Sequence, residues 1–419
     1  VVEFSNHYQS AKGNFDLYVN FIERGYKLLK REGQLGQIVP NKFFKTDYGE
    51  GLRSLITGKK ALTRLVDFGA SQVFDATTYT CLLFLSKEPN NNFQYVEAEA
   101  SEESLSAAMF TIKNNDSINS KGWIFADDKT KALLNKLSQC SVRLLDLPAE
   151  MSRGSSSGND EVFMLEQETI DIEEEILRIP IFASDFSKYY FAPSGKWRII
   201  FPYVVDGNFS RLYTEQELKK SFPKAYSYLR FKKSLLKKRK QFREWYGYSA
   251  ARNLTLHDQA HIIVPLLANQ GLFALIPETS QGQLCPMASG GFTITLSLSC
   301  PLRPDYILGL LNSRLLFWKL EQMSNIFRGG WITCTKQYFG ELPIRTINFS
   351  DPSDKAQHDR MVQLVEQMID AKRRLGEAHT DKDKIFYENK CAAIDQQINQ
   401  LVYELYGLSD EEIRIIGEN

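Results

Sequence analysis

Several things are scarce in this sequence. No apolar run reaches the roughly 18 residues that a membrane-spanning helix needs. The six cysteines (Cys81, Cys140, Cys285, Cys300, Cys334 and Cys391) form no C-x-x-C pair and keep no regular spacing. That pattern argues against a disulfide framework and for free thiols in a reducing cytoplasm. There are only five histidines. His257 and His261 are four apart, but they precede a strand (IIVP) rather than sit in a helix and have no third ligand or Glu base beside them, so zinc is not expected. No signal peptide, internal repeat or nuclease-type cluster of Asp, Glu and Lys stands out. Net charge is also absent. Fifty-one Lys and Arg balance 51 Asp and Glu, so any basic surface must be local. The acidic run DIEEE (171–175) reads as a solvated face.

The chain has 419 residues, enough for two or three domains. Helical spacing of Leu17, Phe21, Leu28 and Leu29 predicts an amphipathic helix over 15–30. QLGQIVP (34–40) reads as a buried parallel strand ended by proline. A helix over 47–57, opened by Thr46 or Asp47, precedes two further strands, TRLVDFG (63–69) and TYTCLLFLS (78–86). Helix, strand, helix, strand, loop, strand is the order of the second half of a doubly wound α/β domain. Such a sheet is not stable with one edge bare, so partner strands are expected upstream. Weaker strand patterns follow near 94–98 and 106–112, then a helix over 128–138 and a flexible run, RGSSSGND (153–160). Residues 160–346 hold short apolar segments between Gly, Pro, Ser and Asn, as in a mixed α+β, β-rich domain. Apolar spacing over 354–407 predicts two long helices paired as a hairpin around 377–382. The expected division is 1–125, 126–347 and 348–419.

Two passages, GNFDLYVNFIERGYKLLKREGQLGQIVPNKFF (13–44) and VDFGASQVFDATTYTCLLFLSK (66–87), resemble gamma-type adenine DNA methyltransferases of the type IIG restriction-modification group. Both match in order and spacing. The resemblance implies a Rossmann-like catalytic domain that uses S-adenosylmethionine and flips its target base. It also implies two upstream elements that are not found here: a Gly-rich cofactor loop and an N-P-P-Y-type motif. Glu88-Pro89-Asn90 is in the wrong order, and Ser289-Gly290-Gly291 opens no helix after a strand. The chain begins Val1-Val2 and opens in mid-motif, which suggests a piece of something longer. The expectation is therefore a fragment that neither binds the cofactor well nor transfers methyl groups alone, lacking an N-terminal methyltransferase region with or without a nuclease.

The resemblance also assigns residues. Phe21 would lie against the cofactor's adenine, with Asp16 at the start of the same helix. Pro40 and Asn41 would sit at the mouth of the target-base pocket. Phe74 would stack on the flipped adenine, since chemistry on a base needs a π-surface to receive it outside the duplex. For Phe21 and Phe74 the plain alternative is a core position.

Segments within 140–346, among them LRIPIFASDFSKYYF (177–191), WYGYSAARNLTLHDQAHIIVP (245–265) and FRGGWITCTKQYFGELPI (327–344), resemble a TaqI-like target recognition domain. Read from the residues alone, this region has one outstanding feature. From Lys219 to Arg243 there are eight lysines, three arginines and no acid. Neutralising the phosphates of double-stranded DNA is the natural use of such a patch. Candidates are Lys232, Lys233, Lys237, Lys238, Arg239, Lys240 and Arg243. Arg252 and Asn253, and Arg328 with Trp331 in R-G-G-W, could approach bases. Two rival readings are a stand-alone specificity subunit acting in trans and an assembly module built on the C-terminal hairpin.

Overall fold

The structure is a computed structural model that describes residues 5–75, 78–139, 141–327 and 329–417. Cys140 and Arg328 lie outside the described residues. The chain divides into two compact units, Val1–Lys131 with Glu321–Thr333, and Ala132–Leu320 with Cys334–Asn419.

In the first unit, α1 (Tyr18–Leu28) buries Val19, Ile22 and Tyr26 against the sheet. Burying such a side chain stabilises by about 1.5–3 kcal/mol. The opposite side of this region leaves Leu17, Phe21, Leu28 and Ile38 exposed. β1 (Gln34–Pro40) is followed by α2 (Glu50–Gly58), β2 (Leu62–Asp67), β3 (Thr80–Ser86), β4 (Asn92–Glu97) and β5 (Thr111–Asn114). The sheet order is β1-β3-β2-β4-β5.

The expected all-parallel pairing is corrected here. β3 pairs antiparallel with both β1 and β2, from Gln34 opposite Ser86 to Pro40 opposite Thr80 on one side. A parallel return needs a crossover, usually a helix. The 68–79 connection has none among its described residues, so β3 returns between its neighbours. α2 does supply a crossover, so β1 and β2 run the same way, and β4 joins β2 in parallel. In place of a strand over 106–112 there is a short helix, Glu102–Ala107, and then β5.

The second unit is built on two four-stranded sheets. One holds β6 (Ala149–Arg153), β10 (Ile262–Val264), β11 (Ala274–Leu275) and β13 (Phe292–Leu296), all antiparallel. The other holds β7 (Met164–Glu166), β8 (Leu177–Ile181), β9 (Trp197–Ile200) and β12 (Leu284–Pro286), with β8 and β12 parallel. The run 153–160 is not flexible. Ser155 and Ser157 are buried, and Ser155 and Ser156 bridge to Met287 and Ala250. Gly158 has φ +77°, and a Cβ there would strike the Ser249 hydroxyl, so glycine is required. Long helices Pro352–Gly376 and Asp381–Leu405 form the hairpin. Asp351 accepts from Ser353 N–H at 2.9 Å and Thr380 from Asp383 N–H at 3.1 Å, each capping a helix start. Among the described residues no helix is long and apolar enough to cross a membrane.

Candidate functional site

β1, β2 and β4 run the same way, so their carboxyl ends lie on one side of the sheet, where open α/β sheets place their ligands. Each end carries a polar residue: Asn41 after β1, Asp67 ending β2 and Glu97 ending β4. All three line a cavity of about 240 Å³ with Lys45 and the aromatic residues Phe44, Tyr79, Tyr95, Trp123, Phe125 and Phe327. Asn41 Nδ2 donates to Asp67 Oδ1 at 2.9 Å and to Gly69 O at 3.3 Å. Gly69 N–H donates to the same carboxylate oxygen at 3.0 Å. Lys45 Nζ donates to Ser324 O at 2.7 Å.

The electrostatics follow from burial. Desolvation pushes the Asp67 carboxyl up, opposed by the Asn41 amide, the Gly69 N–H and the Lys45 charge. Burial and then the charge of Asp67 push Glu97 up as well. Lys45 is held down to about 8 by burial, with Asp67 and Glu97 pulling the other way. The cavity therefore presents groups that can both donate and accept hydrogen bonds, between aromatic walls. Tyr95 stacks on Phe125 at 4.4 Å, and Tyr79 meets Phe327 edge-on at 5.7 Å. Arg53 holds the turn that carries Asn41 and Lys45. Its guanidinium is buried and donates to Phe43 O, to Thr46 O at 2.8 Å, to Ser120 O at 2.8 Å and to Lys121 O at 3.0 Å.

Of the residues anticipated at the pocket, Asn41 lines the cavity and Pro40 ends the strand before it. Phe74 does not line it. Its ring is 51% exposed in the loop after β2, and Phe21 is 69% exposed on α1, so neither is a core residue. Asp16 is exposed just before α1. Lys45, Asp67 and Glu97 were not anticipated. A polar residue at the carboxyl end of a strand run marks Asp67 and Glu97 singly, but nothing in the sequence joins them to each other or to Lys45.

In the second unit, the cationic stretch folds into α3 (Glu215–Ser221), α4 (Pro223–Phe231) and α5 (Lys233–Leu236), then an irregular segment to Arg243. Pro223 opens α4, and Ala225 and Leu229, four apart, are its buried side. Lys219, Lys220, Arg230, Lys237, Lys238, Lys240 and Arg243 are exposed, while Lys232 and Lys233 are half-buried. Lys233 Nζ lies 4.4 Å from the Trp245 ring. The run 171–175 is not simply solvated. Asp171 pairs with Lys224, and Glu173 accepts from Lys224 N–H at 2.8 Å and Ala225 N–H at 3.0 Å, capping α4.

Arg239 departs from its neighbours. Its guanidinium is half-buried and donates to Leu236 O at 2.9 Å, Ser157 O at 2.7 Å, Gly247 O at 2.8 Å and Trp245 O at 2.7 Å. Its hydrogen bonds hold the protein together, leaving it less free than the lysines around it. Arg252 donates to Gly154 O at 3.0 Å. Asn253, in the left-handed region at φ +43°, donates to Ser152 Oγ at 3.2 Å.

Contrary to expectation, His257 does sit in a helix, the short Leu254–Asp258. Its Nε2 is 3.2 Å from Arg153 O and its Nδ1 3.0 Å from Thr293 Oγ1, and burial lowers its pKa to about 4. His261 Nδ1 accepts from Leu296 N–H at 3.1 Å. Trp331 is 40% exposed beside Gly329 and Gly330 (φ +80° and +74°) in the 321–333 segment of the first unit. The cationic helices belong to the second unit, so this candidate and theirs sit in different compact bodies.

Comparison with known proteins supplies a relationship. The family described as Eco57I restriction-modification methylase matches residues 2–74. The chain is 27% identical to the type II restriction enzyme and methyltransferase RM.Eco57I of Escherichia coli, over 98% of this chain and 44% of that protein. It is 21% identical to the type II methyltransferase M.BstVI of Geobacillus stearothermophilus, over 100% of this chain and 72% of that one. Among solved structures, the type IIL restriction-modification enzyme MmeI in complex with DNA shares the fold, with TM-score 0.62 and 12% identity over 97% of this chain and 52% of MmeI. The chain thus spans less than half of the Escherichia coli relative and about half of MmeI. Sequence and fold together relate it to the type II restriction-modification DNA methyltransferases.

Proposed function

We propose that this chain is the DNA-recognising part of an adenine-N6 DNA methyltransferase, joined to the second half of that enzyme's Rossmann-like catalytic domain. The observation that carries DNA binding is the 219–243 stretch, which folds so that most of its cations stay exposed. DNA is a polyanion, and each phosphate neutralised releases counterions. The co-directional β1 and β2, joined by α2, support the reading of the first unit. The cavity at their carboxyl ends, with Asn41 at its rim, is where a base turned out of the duplex would be received. The exposed ring of Phe74 supports a stacking role over a core one.

S-adenosylmethionine is the methyl donor this reading requires. Phe21 and Asp16 are both exposed and do not line the cavity at the strand ends. This chain alone is expected to be inactive.

The test is duplex binding across a salt series. Affinity for DNA is expected to fall by about 10³–10⁵ between 50 and 200 mM salt if roughly 6–10 phosphates are contacted. Binding that does not depend on salt, or no binding to any duplex, would overturn the proposal.

A further inference from the structure

Among the described residues the cationic helices leave two large apolar side chains exposed, Leu235 and, far more so, Phe231. Phe231, at the last turn of α4, is 82% exposed. Single exposed apolar residues are common, but this one stands among charges. Arg230 and Lys232 flank it, and Lys232 Nζ lies 5.5 Å from its ring centroid. Phe231 also borders a surface depression lined by Lys219, Tyr226 and Arg230. The helix has already buried Ala225 and Leu229, so Phe231 is not a core residue that failed to reach the core.

We infer that Phe231 is a DNA wedge: its ring enters between base pairs once the flanking cations have docked on the phosphates. This rests on the DNA-binding reading above and adds a specific contact to it. The physical case is charge complementarity with a sequence of events. Lys219, Arg230 and Lys232 draw the backbone of the duplex to this surface. An exposed ring among them must then meet either water or the bases. Apolar side chains inserted at a base step unstack it and bend the duplex, which lets more protein surface reach the DNA. The wedge carries no charge, so it adds affinity without adding to the salt dependence.

The experiment compares the full chain with Phe231→Ala and Phe231→Leu on a duplex carrying 2-aminopurine, whose fluorescence rises when it is unstacked. The expected result is a roughly 10-fold loss of affinity for the alanine variant. The slope of log affinity against log salt stays unchanged, and the fluorescence rise seen with the unaltered chain is lost. The leucine variant keeps most of both, because a wedge needs apolar bulk more than a π-face. Circular dichroism checks that the variants fold, which the exposure of the site favours. If the unaltered chain binds duplex with the expected salt slope but Phe231→Ala matches it in affinity and fluorescence, the wedge is overturned while DNA binding stands. If the unaltered chain binds no duplex, both fall.

Discussion

The cavity at the strand ends and the cationic helices use charge in opposite ways. In the cavity a few ionisable groups are partly withdrawn from water, tied to fixed partners and shifted: Asp67 and Glu97 upward, Lys45 down to about 8. On the helices many cations stand in solvent, and the carboxylates that meet them, Asp171 and Glu173, gather at one end, the start of α4. The first arrangement defines a shape and a pattern of donors and acceptors, at the cost of desolvation. The second supplies long-range attraction that any polyanion feels and salt screens. In the proposed function the cationic helices would take the phosphate contacts that position the protein, and the cavity would receive the target base.

The largest expected effect comes from removing solvated charge. Replacing Lys237, Lys238, Lys240 and Arg243 together with alanine, all four exposed, should lower duplex affinity by up to ~10³-fold near 0.15 M salt. It should also reduce the salt slope by about 3–4, taking about 0.9 per phosphate contact. The denaturant midpoint should hardly move. A large loss of stability with the slope intact would place these four in the fold and erase the contrast.

Next in size is a buried group whose charge the fold excludes. His257 titrates near 4 when folded against an ordinary 6.5. Between those values the unfolded chain holds the proton and the folded chain does not, so stability rises with pH across that window. The neutral imidazole costs nothing above about pH 6.5, and stability is lost as pH falls toward 4. About 3 kcal/mol should separate pH 7 from pH 4 on this account. Urea unfolding of His257→Gln against the unaltered chain isolates it, and equal pH dependence in the two would exclude it.

The smallest of the three sharpens the contrast within one stretch of chain. Arg239→Leu removes a side-chain donor from four carbonyls, of which Leu236 O and Ser157 O keep a backbone N–H, and should destabilise by about 2 kcal/mol. Its DNA salt slope should stay within error of the unaltered chain once folded. Lys240→Ala, one residue away, should do the reverse. A salt-slope change in Arg239→Leu as large as in Lys240→Ala would return this arginine to the DNA-facing set.

Much of the fold was legible because its signals are local. QLGQIVP spans β1 as observed. The helix starts at 352 and 381 are announced by Asp351-Pro352 and Thr380. The register of the sheet was also within reach. The missing crossover between TRLVDFG and TYTCLLFLS implies an antiparallel return, which the doubly wound reading passed over. The apparent flexibility of RGSSSGND was not correctable from sequence. Small polar residues look the same whether they face water or, like Ser155 and Ser157, pack under neighbouring strands.

For the candidate site, Asn41 and the cationic stretch were readable, while the grouping of Lys45, Asp67 and Glu97 was not. The reason is separation. A block of eleven cations with no acid is a property of 25 contiguous residues, so its charge density survives any fold. The cavity joins residues from the ends of three strands, and only their pairing brings them together. The sequence by itself determined where the strands and helices lie and that one segment is strongly positive. The tertiary structure decided which cations remain free, taking Arg239 into the protein and leaving its neighbours in water, and which polar groups lose water and shift. Helix and strand signals act over a few residues, whereas desolvation and hydrogen-bond partnership depend on neighbours that arrive from far along the chain.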